Sequence, residues 1–287
     1  MMKIENNTVF IGMNTSYERS AVVLVGAPFD GTTSYRPGAR FAPDQIRIDS
    51  YGLETYSPYM KKDLEDFPIG DMGNISLPYG NTIKALEQIK ATITTLLQDN
   101  KIPLLLGGEH LVTLPAIEVL INKYPDLHIL HFDAHTDLRD HYLGERLSHA
   151  TVIRRVHDLL GDGRIFQFGI RSGTREEFEW AKTHTYLQPF DLTTLKSVID
   201  KLVQKPVYLT IDLDILDPSI FSGTGTPEPG GITMNELLNA LISLRPLSLV
   251  GADIVELSPH YDTSGVSTAV ACKVTREVAL LLTKGII

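Results

Sequence analysis

The feature that most constrains this chain is a regular alternation of short apolar runs with longer amphipathic segments. The apolar runs are rich in β-branched and aliphatic residues and are too short for helices; they cover 21–26, 101–107, 127–133, 164–169, 206–212 and 248–256. Apolar residues at helical spacing mark the segments 81–100, 147–161, 174–183, 233–244 and 266–285. Alternation of this kind is typical of βαβ units, and apolar runs without a period of two predict strands covered on both faces. The sequence therefore predicts an α/β fold with a mostly parallel sheet between helices.

The length of the chain, 287 residues, is compatible with one large domain or two small ones. No internal repeat, low-complexity segment or long Pro/Gly/Ser linker divides the sequence. We therefore predict a single domain over 1–287. In a sheet of this kind, ligands bind at the carboxyl ends of the strands.

Charge and cysteine content exclude several classes of function. A net charge of -9 argues against a nucleic-acid partner and favours a metal ion or a cationic small molecule. With a single cysteine, Cys272, the chain cannot form an internal disulfide. We interpret Cys272 as a small core residue of a protein in a reducing compartment. The N-terminal segment lacks a signal-peptide pattern, and no apolar run approaches the roughly 20 residues needed to span a bilayer. We expect a cytoplasmic protein with no membrane partner.

The segment HFDAHTD, residues 131–137, carries the strongest chemical signal. Asp133 and His135 are two apart and would share one face of a strand, and Asp137 can join them if the chain curls at the strand end. Buried carboxylates are costly unless a cation neutralises them, so the motif indicates a metal site. The alternative is a solvated Asp-rich turn or a buried histidine satisfied by its neighbours. His131 could contact Asp133 from outside the ligand set.

Two further strand ends repeat this pattern. Asp212 and Asp214 end the run PVYLTIDLD, and His110 follows another run in GGEH, whose two glycines suggest a flexible turn. A DxD motif alone is weak evidence for a metal site. Aspartates and histidines at the ends of several core strands are much less expected by chance. Together the three motifs supply six candidate ligands: His110, Asp133, His135, Asp137, Asp212 and Asp214.

The ligand chemistry indicates the kind of metal centre. Carboxylates and imidazoles without thiolates suit a hard-to-borderline divalent ion such as manganese better than a structural zinc site. Six protein ligands exceed what one ion needs, whereas two ions that share carboxylates, about 3.5–4 Å apart, fit the count. Such a pair lowers the pKa of a bound water, which favours hydrolysis.

Five motifs, GGEH, DAHTD, TIDLDILDP, GTGTPEPGG and DIVELSP, occur in the order and spacing of the ureohydrolase family, which includes arginases and agmatinases. The resemblance covers nearly the whole chain, and the segments 26–47 and 146–155 look like the agmatinase branch. It implies a three-layer α/β/α sandwich with a mainly parallel eight-stranded sheet and two Mn²⁺ per subunit. It also implies a homo-oligomer, either a trimer or a hexamer.

The resemblance divides the ligands between two ions. One ion would be held by His110, Asp133, Asp137 and Asp212, and the other by Asp133, His135, Asp212 and Asp214. Asp133 and Asp212 would then bridge the ions.

Three catalytic roles are implied in the same way. Asp137 would orient the attacking hydroxide, Glu256 would hold the planar guanidinium group, and His149 would relay a proton to the departing amine. From the residues alone, Glu256 is an ordinary strand-end carboxylate and His149 a surface histidine at a helix start.

The expected reaction is the hydrolysis of agmatine to putrescine and urea. The loop 138–148 lacks the Ser/Asn pattern with which arginases hold the α-carboxylate and α-amino groups, which favours agmatine over arginine. Arginase and guanidinobutyrase activities are the alternatives within the family. A metal-binding regulatory protein without catalysis is an alternative of another class, although every ligand position holds a competent residue. A dinuclear phosphoesterase is disfavoured because no Arg/Lys cluster accompanies the metal motifs.

Overall fold

The computed structural model describes residues 8–286. Within this range the strands are β1 (Val22–Ala27), β2 (Tyr56–Ser57), β3 (Lys62–Asp63), β4 (Ile69–Asn74), β5 (Ile102–Gly107), β6 (His128–Phe132), β7 (Ile165–Ile170), β8 (Tyr186–Pro189), β9 (Pro206–Asp212) and β10 (Ser248–Val255). The α-helices are α1 (Ala42–Ser50), α2 (Thr82–Gln98), α3 (Thr113–Lys123), α4 (Val152–Leu160), α5 (Arg175–His184), α6 (Leu195–Leu202), α7 (Met234–Ser243) and α8 (Val266–Leu282).

Eight strands form one sheet in the order β4-β1-β5-β10-β9-β6-β7-β8. All neighbouring strands in this sheet pair in parallel. The two short strands β2 and β3 pair with each other in an antiparallel ribbon outside it. The predicted α/β fold with an eight-stranded, mainly parallel sheet is confirmed.

Helices cover both faces of the sheet, which explains why the strands are apolar throughout. Along β5, Leu104 and Leu106 pack into one core with residues of α1, α6, α7 and α8. Leu105, between them, points into a second core with residues of α2, α3 and α4. The alternation of side chains along a strand therefore supplies both cores of a three-layer sandwich.

The six predicted strands correspond to β1, β5, β6, β7, β9 and β10, and the five predicted helical segments to α2, α4, α5, α7 and α8. The hydrophobic pattern does not predict β4 because this edge strand contains two glycines and a buried aspartate, Asp71. Arg47 of α1 neutralises that carboxylate, with 2.7 Å between Nε and Oδ2. A buried carboxylate in β4 would be too costly without this partner, so the position of Asp71 depends on the contact between α1 and β4.

Cys272 is fully buried on α8, as predicted, and its Sγ lies 3.2 Å from the carbonyl oxygen of Ile46. Residues 1–7 and 287, which belong to the predicted domain 1–287 and to the N-terminal segment without a signal pattern, lie outside the described residues. Among residues 8–286, no helix combines the length and the apolar character needed to cross a bilayer.

Candidate metal centre

Four neighbouring strands, in the order β5-β10-β9-β6, bring the predicted site residues to one edge of the sheet. His110 begins a short 3₁₀ turn after β5, Asp133 follows β6, Asp212 ends β9 and Glu256 follows β10. Because the carboxyl ends of parallel strands meet at the same edge, residues far apart in sequence converge there. The structure brings together all six predicted ligands: His110, Asp133, His135, Asp137, Asp212 and Asp214.

The His110 side chain is 1% exposed and is surrounded by carboxylates. Its Nδ1 lies 3.1 Å from Oδ2 of Asp133, 3.2 Å from Oδ2 of Asp137 and 3.5 Å from Oδ2 of Asp212. This buried nitrogen has no hydrogen-bond partner among the described residues. Three buried carboxylate oxygens this close to one another need a positive charge beside them, so the donor set fits a metal ion.

The opposite nitrogen of His110 is fixed by a chain of buried hydrogen bonds. Nε2 lies 2.8 Å from Oγ1 of Thr210, and that hydroxyl donates to Oδ1 of Asp253 at 2.6 Å. Asp253 also accepts hydrogen bonds from Thr113 and Tyr208, both at 2.8 Å. Because the Thr210 hydroxyl donates its proton to Asp253, it can only accept from His110, which places the imidazole proton on Nε2 and leaves Nδ1 free to coordinate.

Asp133 connects the two halves of the site. Its Oδ2 faces His110, and its Oδ1 lies 3.6 Å from Nδ1 of His135. His131 adds a contact of 2.8 Å between its Nε2 and Oδ2 of Asp133. Two groups of potential metal ligands, one around His110 and one around His135, share this single carboxylate.

The second half of the site is formed by His135 and Asp214, with 3.0 Å between Nδ1 and Oδ2. Oδ1 of Asp214 accepts a hydrogen bond of 3.2 Å from the backbone nitrogen of Ala134. Oδ1 of Asp212 accepts one of 2.8 Å from the backbone nitrogen of Asp214. The first bond holds Asp214 against the end of β6, and the second fixes the carboxylate of Asp212, whose Oδ2 faces His110.

The electrostatics describe a site that needs positive charge. Burial and the neighbouring Asp214 raise the pKa of Asp212 well above its usual value, and burial with Asp133 raises the pKa of Asp137 to about 7. Although burial opposes it, the surrounding carboxylates raise the pKa values of His110 and His135 well above the usual histidine value. Protons therefore neutralise the cluster when no metal ion does.

Backbone geometry at the site is unusual. Asp137 and Glu256 adopt φ angles of 53° and 69°, in the left-handed region that costs energy for residues other than glycine. The turn at Glu256 lets its Oε1 accept a hydrogen bond of 2.8 Å from the backbone nitrogen of His110. The two glycines of GGEH are required for close packing rather than flexibility: a Cβ on Gly108 would lie 1.8 Å from the carbonyl oxygen of Phe29.

The two predicted catalytic residues outside the ligand set line a cleft of about 250 Å³ together with His135, Asp137 and Asp212. One of them, His149, has its Nε2 3.2 Å from Oγ of Ser34. Burial lowers the pKa of His149 to about 4, so its imidazole is neutral near pH 7. Glu256 is the other, and burial together with the nearby Glu109 raises its pKa well above the usual value.

Residues that the sequence motifs did not reveal support this cleft. Oγ1 of Thr32 accepts a hydrogen bond of 3.0 Å from the backbone nitrogen of His149 and donates one to the buried Glu109. Glu177 accepts hydrogen bonds from the Thr136 hydroxyl and the Leu138 backbone nitrogen, on either side of Asp137. The capping pattern Thr174-x-x-Glu177 is visible in the sequence, but the contact with 136–138 depends on how α5 packs.

Comparison with known proteins agrees with this architecture. The sequence matches the arginase family over residues 20–281. The chain belongs to the arginase family.

Among its arginase-family relatives, an agmatinase of Bacillus cereus is 51% identical over 276 residues, which cover 95% of each chain. A guanidinobutyrase of Pseudomonas aeruginosa is 33% identical over 90% of this chain and 85% of its own. The crystal structure of an agmatine ureohydrolase of Thermoplasma volcanium superposes with a TM-score of 0.88 at 34% identity, over 98% of this chain and 96% of that one.

Proposed function

We propose that this arginase-family protein is an agmatinase, which hydrolyses agmatine to putrescine and urea with the help of two Mn²⁺ ions. The observation that carries the proposal is the carboxylate of Asp133, which is shared by two groups of potential metal ligands, one around His110 and one around His135. This pair of groups opens into a cleft that also contains Glu256 and His149. Identity of 51% to an agmatinase, against 33% to a guanidinobutyrase, supports agmatine as the substrate.

The ligand set suits two divalent ions of hard-to-borderline character. His110, Asp133, Asp137 and Asp212 would hold one, and Asp133, His135, Asp212 and Asp214 the other. Bound there, the ions would lower the pKa of a water molecule and so supply hydroxide near neutral pH. Four carboxylates and two imidazoles favour Mn²⁺ over the thiolate-rich environments typical of structural zinc.

Glu256 binds and orients the substrate. Its carboxylate is buried beside Glu109, an environment that disfavours negative charge, and the planar guanidinium of agmatine would compensate that charge through charge-assisted hydrogen bonds. Asp137, which also lines the cleft, accepts a hydrogen bond from the attacking oxygen and keeps it in line with the guanidinium carbon.

His149 carries a proton to the nitrogen that leaves as putrescine. Cleavage of the C–N bond leaves an electron pair on this nitrogen, which must gain a proton to depart as a neutral amine. Since its pKa is about 4, the neutral imidazole of His149 relays a proton released by the attacking water rather than holding one in advance.

One observation favours a second candidate substrate, 4-guanidinobutyrate. Arg139 lines the cleft and could pair with a carboxylate at the far end of the substrate. However, its guanidinium lies 4.6 Å from the centre of the Tyr142 ring, and its Nε lies 3.6 Å from Oε2 of Glu177. Because the Arg139 guanidinium already pairs with Tyr142 and Glu177, it is less suited to bind a substrate carboxylate. Agmatine, which has no carboxylate, is therefore the preferred substrate.

The resemblance to the agmatinase branch also supports a cytoplasmic homo-oligomer, either a trimer or a hexamer. All six proposed ligands, together with Glu256 and His149, belong to a single subunit.

Urea release from agmatine, arginine and 4-guanidinobutyrate by the manganese-loaded protein tests the proposal. We expect the highest kcat/KM for agmatine. A preference for either of the other two would change the substrate but keep the reaction type. No urea from any of them, with two metal ions bound, would indicate a metal-binding protein without this activity, and turnover of a phosphate ester instead would indicate a phosphoesterase.

A further inference from the structure

A second cluster of metal-ligating side chains lies outside the cleft, where α4 and α5 approach each other. His157 lies near the end of α4, Asp162 in the turn that follows, and His184 at the end of α5. Nε2 of His157 and Nδ1 of His184 lie 2.8 and 2.7 Å from the same oxygen of Asp162, Oδ1. We propose that these three residues form a further metal site that binds one divalent transition ion, such as Zn²⁺.

The two imidazoles are already held in position. Trp180, the only tryptophan of the chain, stacks on His184 with 4.2 Å between ring centres and meets His157 edge-on at 4.6 Å. The guanidinium of Arg154 lies 4.1 Å from the tryptophan ring. Because these contacts fix the rings before binding, an ion need not order two free side chains.

Binding of an ion requires the cluster to adjust. The three ligand atoms lie within 4.8 Å of one another, whereas ligand atoms at about 2.0–2.1 Å from a tetrahedral ion lie roughly 3.3 Å apart. Oδ1 of Asp162 lies 2.8 and 2.7 Å from the two nitrogens and must move away from both by about half an ångström. Its side chain is 64% exposed and lies in a turn between Gly161 and Gly163, which permits that shift. The open side of the cluster faces solvent, where water completes the coordination.

Ligand chemistry separates this site from the catalytic one. Two imidazoles and one carboxylate suit a borderline ion such as Zn²⁺ or Ni²⁺, whereas the cleft offers four carboxylates and two imidazoles. In the absence of an ion, each imidazole donates a proton to Asp162. On binding, that proton moves to the other nitrogen of the same ring, and the freed lone pair coordinates the ion.

An ion at this position would tie together two helices that support the cleft. α4 continues the short helical turn that begins at His149, and α5 carries Glu177, which holds the backbone on both sides of Asp137. The ion is thus a structural clamp behind the catalytic residues, and its binding does not depend on the proposed reaction.

Fluorescence of Trp180 provides a direct test in the full-length protein. Titration with Ni²⁺, in the presence of excess Mn²⁺, should quench the emission saturably with one equivalent, and Zn²⁺ should compete. In the double variant His157→Gln/His184→Gln we expect affinity to fall at least about tenfold, since two of three ligands are lost. His260→Gln, at an exposed histidine outside the cluster, is the matched control and should behave like the unmodified protein.

Asp162→Asn provides a second variant if the double variant fails to fold, because it removes only the charge of an exposed side chain. Equal affinity in this variant, or in a folded double variant, would overturn the proposal by assigning the quenching to the catalytic cleft. The absence of saturable quenching in the unmodified protein would also overturn it and leave a hydrogen-bonded His–Asp–His cluster.

Discussion

The imidazole of His110 lies against the hydroxyl of Thr210, with 2.8 Å between Nε2 and Oγ1. Thr210 in turn donates to the buried Asp253, so the orientation of a predicted metal ligand depends on a residue of the sheet interior. Groups of this kind, which contact a ligand rather than the ion, set the ring orientation and the basicity of the coordinating nitrogen.

We expect Thr210→Val to lower Mn²⁺ affinity by about 10- to 100-fold, because His110 loses its acceptor while side-chain volume is kept. Thr113→Val is the matched control: it also removes a hydroxyl donor from Asp253, at 2.8 Å, but keeps the Thr210 hydroxyl that faces Nε2 of His110. Calorimetric titration of the metal-free variants measures the difference. Equal losses in the two variants would mean that Asp253, rather than the orientation of His110, controls affinity.

Asp133 and Asp214 should differ in their effect on metal content. Of the two predicted histidine ligands, Asp133 faces both His110 and His135, whereas Asp214 faces only His135. We therefore expect Asp133→Ala to abolish turnover and binding of both ions, and Asp214→Ala to keep about one of the two. Metal analysis after gel filtration, combined with the urea assay, tests this. Two bound ions and full turnover in Asp133→Ala would disprove the bridging assignment.

His149→Gln should separate catalysis from metal binding. His149 lines the cleft, and its described hydrogen-bond partners are Thr32, Ser34 and Ser148, not the ligand carboxylates. Loss of a proton relay is expected to lower kcat by about 10²–10³-fold with unchanged metal content. His141→Gln, at an exposed histidine paired with Asp140 in the preceding loop, serves as the control. An unchanged kcat in His149→Gln would remove this residue from the mechanism.

Metal affinity should rise with pH through about 7. In the ion-free protein, burial and Asp133 raise the pKa of Asp137 to about 7, so below that pH a proton occupies a ligand. A bound cation favours the carboxylate and lowers this pKa; binding therefore releases protons and strengthens as pH rises. Calorimetric titrations with Mn²⁺ between about pH 6 and pH 8 measure the affinity. Repeating them in buffers of different ionisation enthalpy measures the number of protons released. Affinity that is flat or falls across this range would contradict the prediction.

The central strands, and the strand ends at which the candidate ligands converge, could be predicted from the sequence because both depend on local patterns of residues. Apolar runs followed by aspartate and histidine marked the strand ends correctly, but β6 ends at Phe132 and β9 at Asp212. The turns that follow these strands, rather than a shared strand face, bring Asp133 to His135 and Asp212 to Asp214. Buried parallel strands also have a recognisable composition. Glu256 and His149 carried no such local signal, and their importance was predicted only from resemblance to a family.

Tertiary structure decided what connects these motifs. The strand order β5-β10-β9-β6 cannot be read from hydrophobic alternation, yet it sets Thr210 beside His110 and Asp253 beside Thr210. The packing of α4 against α5 likewise brings His157 and His184 to one oxygen of Asp162. Local spacing determined which residues could bind a metal; contacts between distant elements, governed by packing and the neutralisation of buried charge, determined how those residues are held.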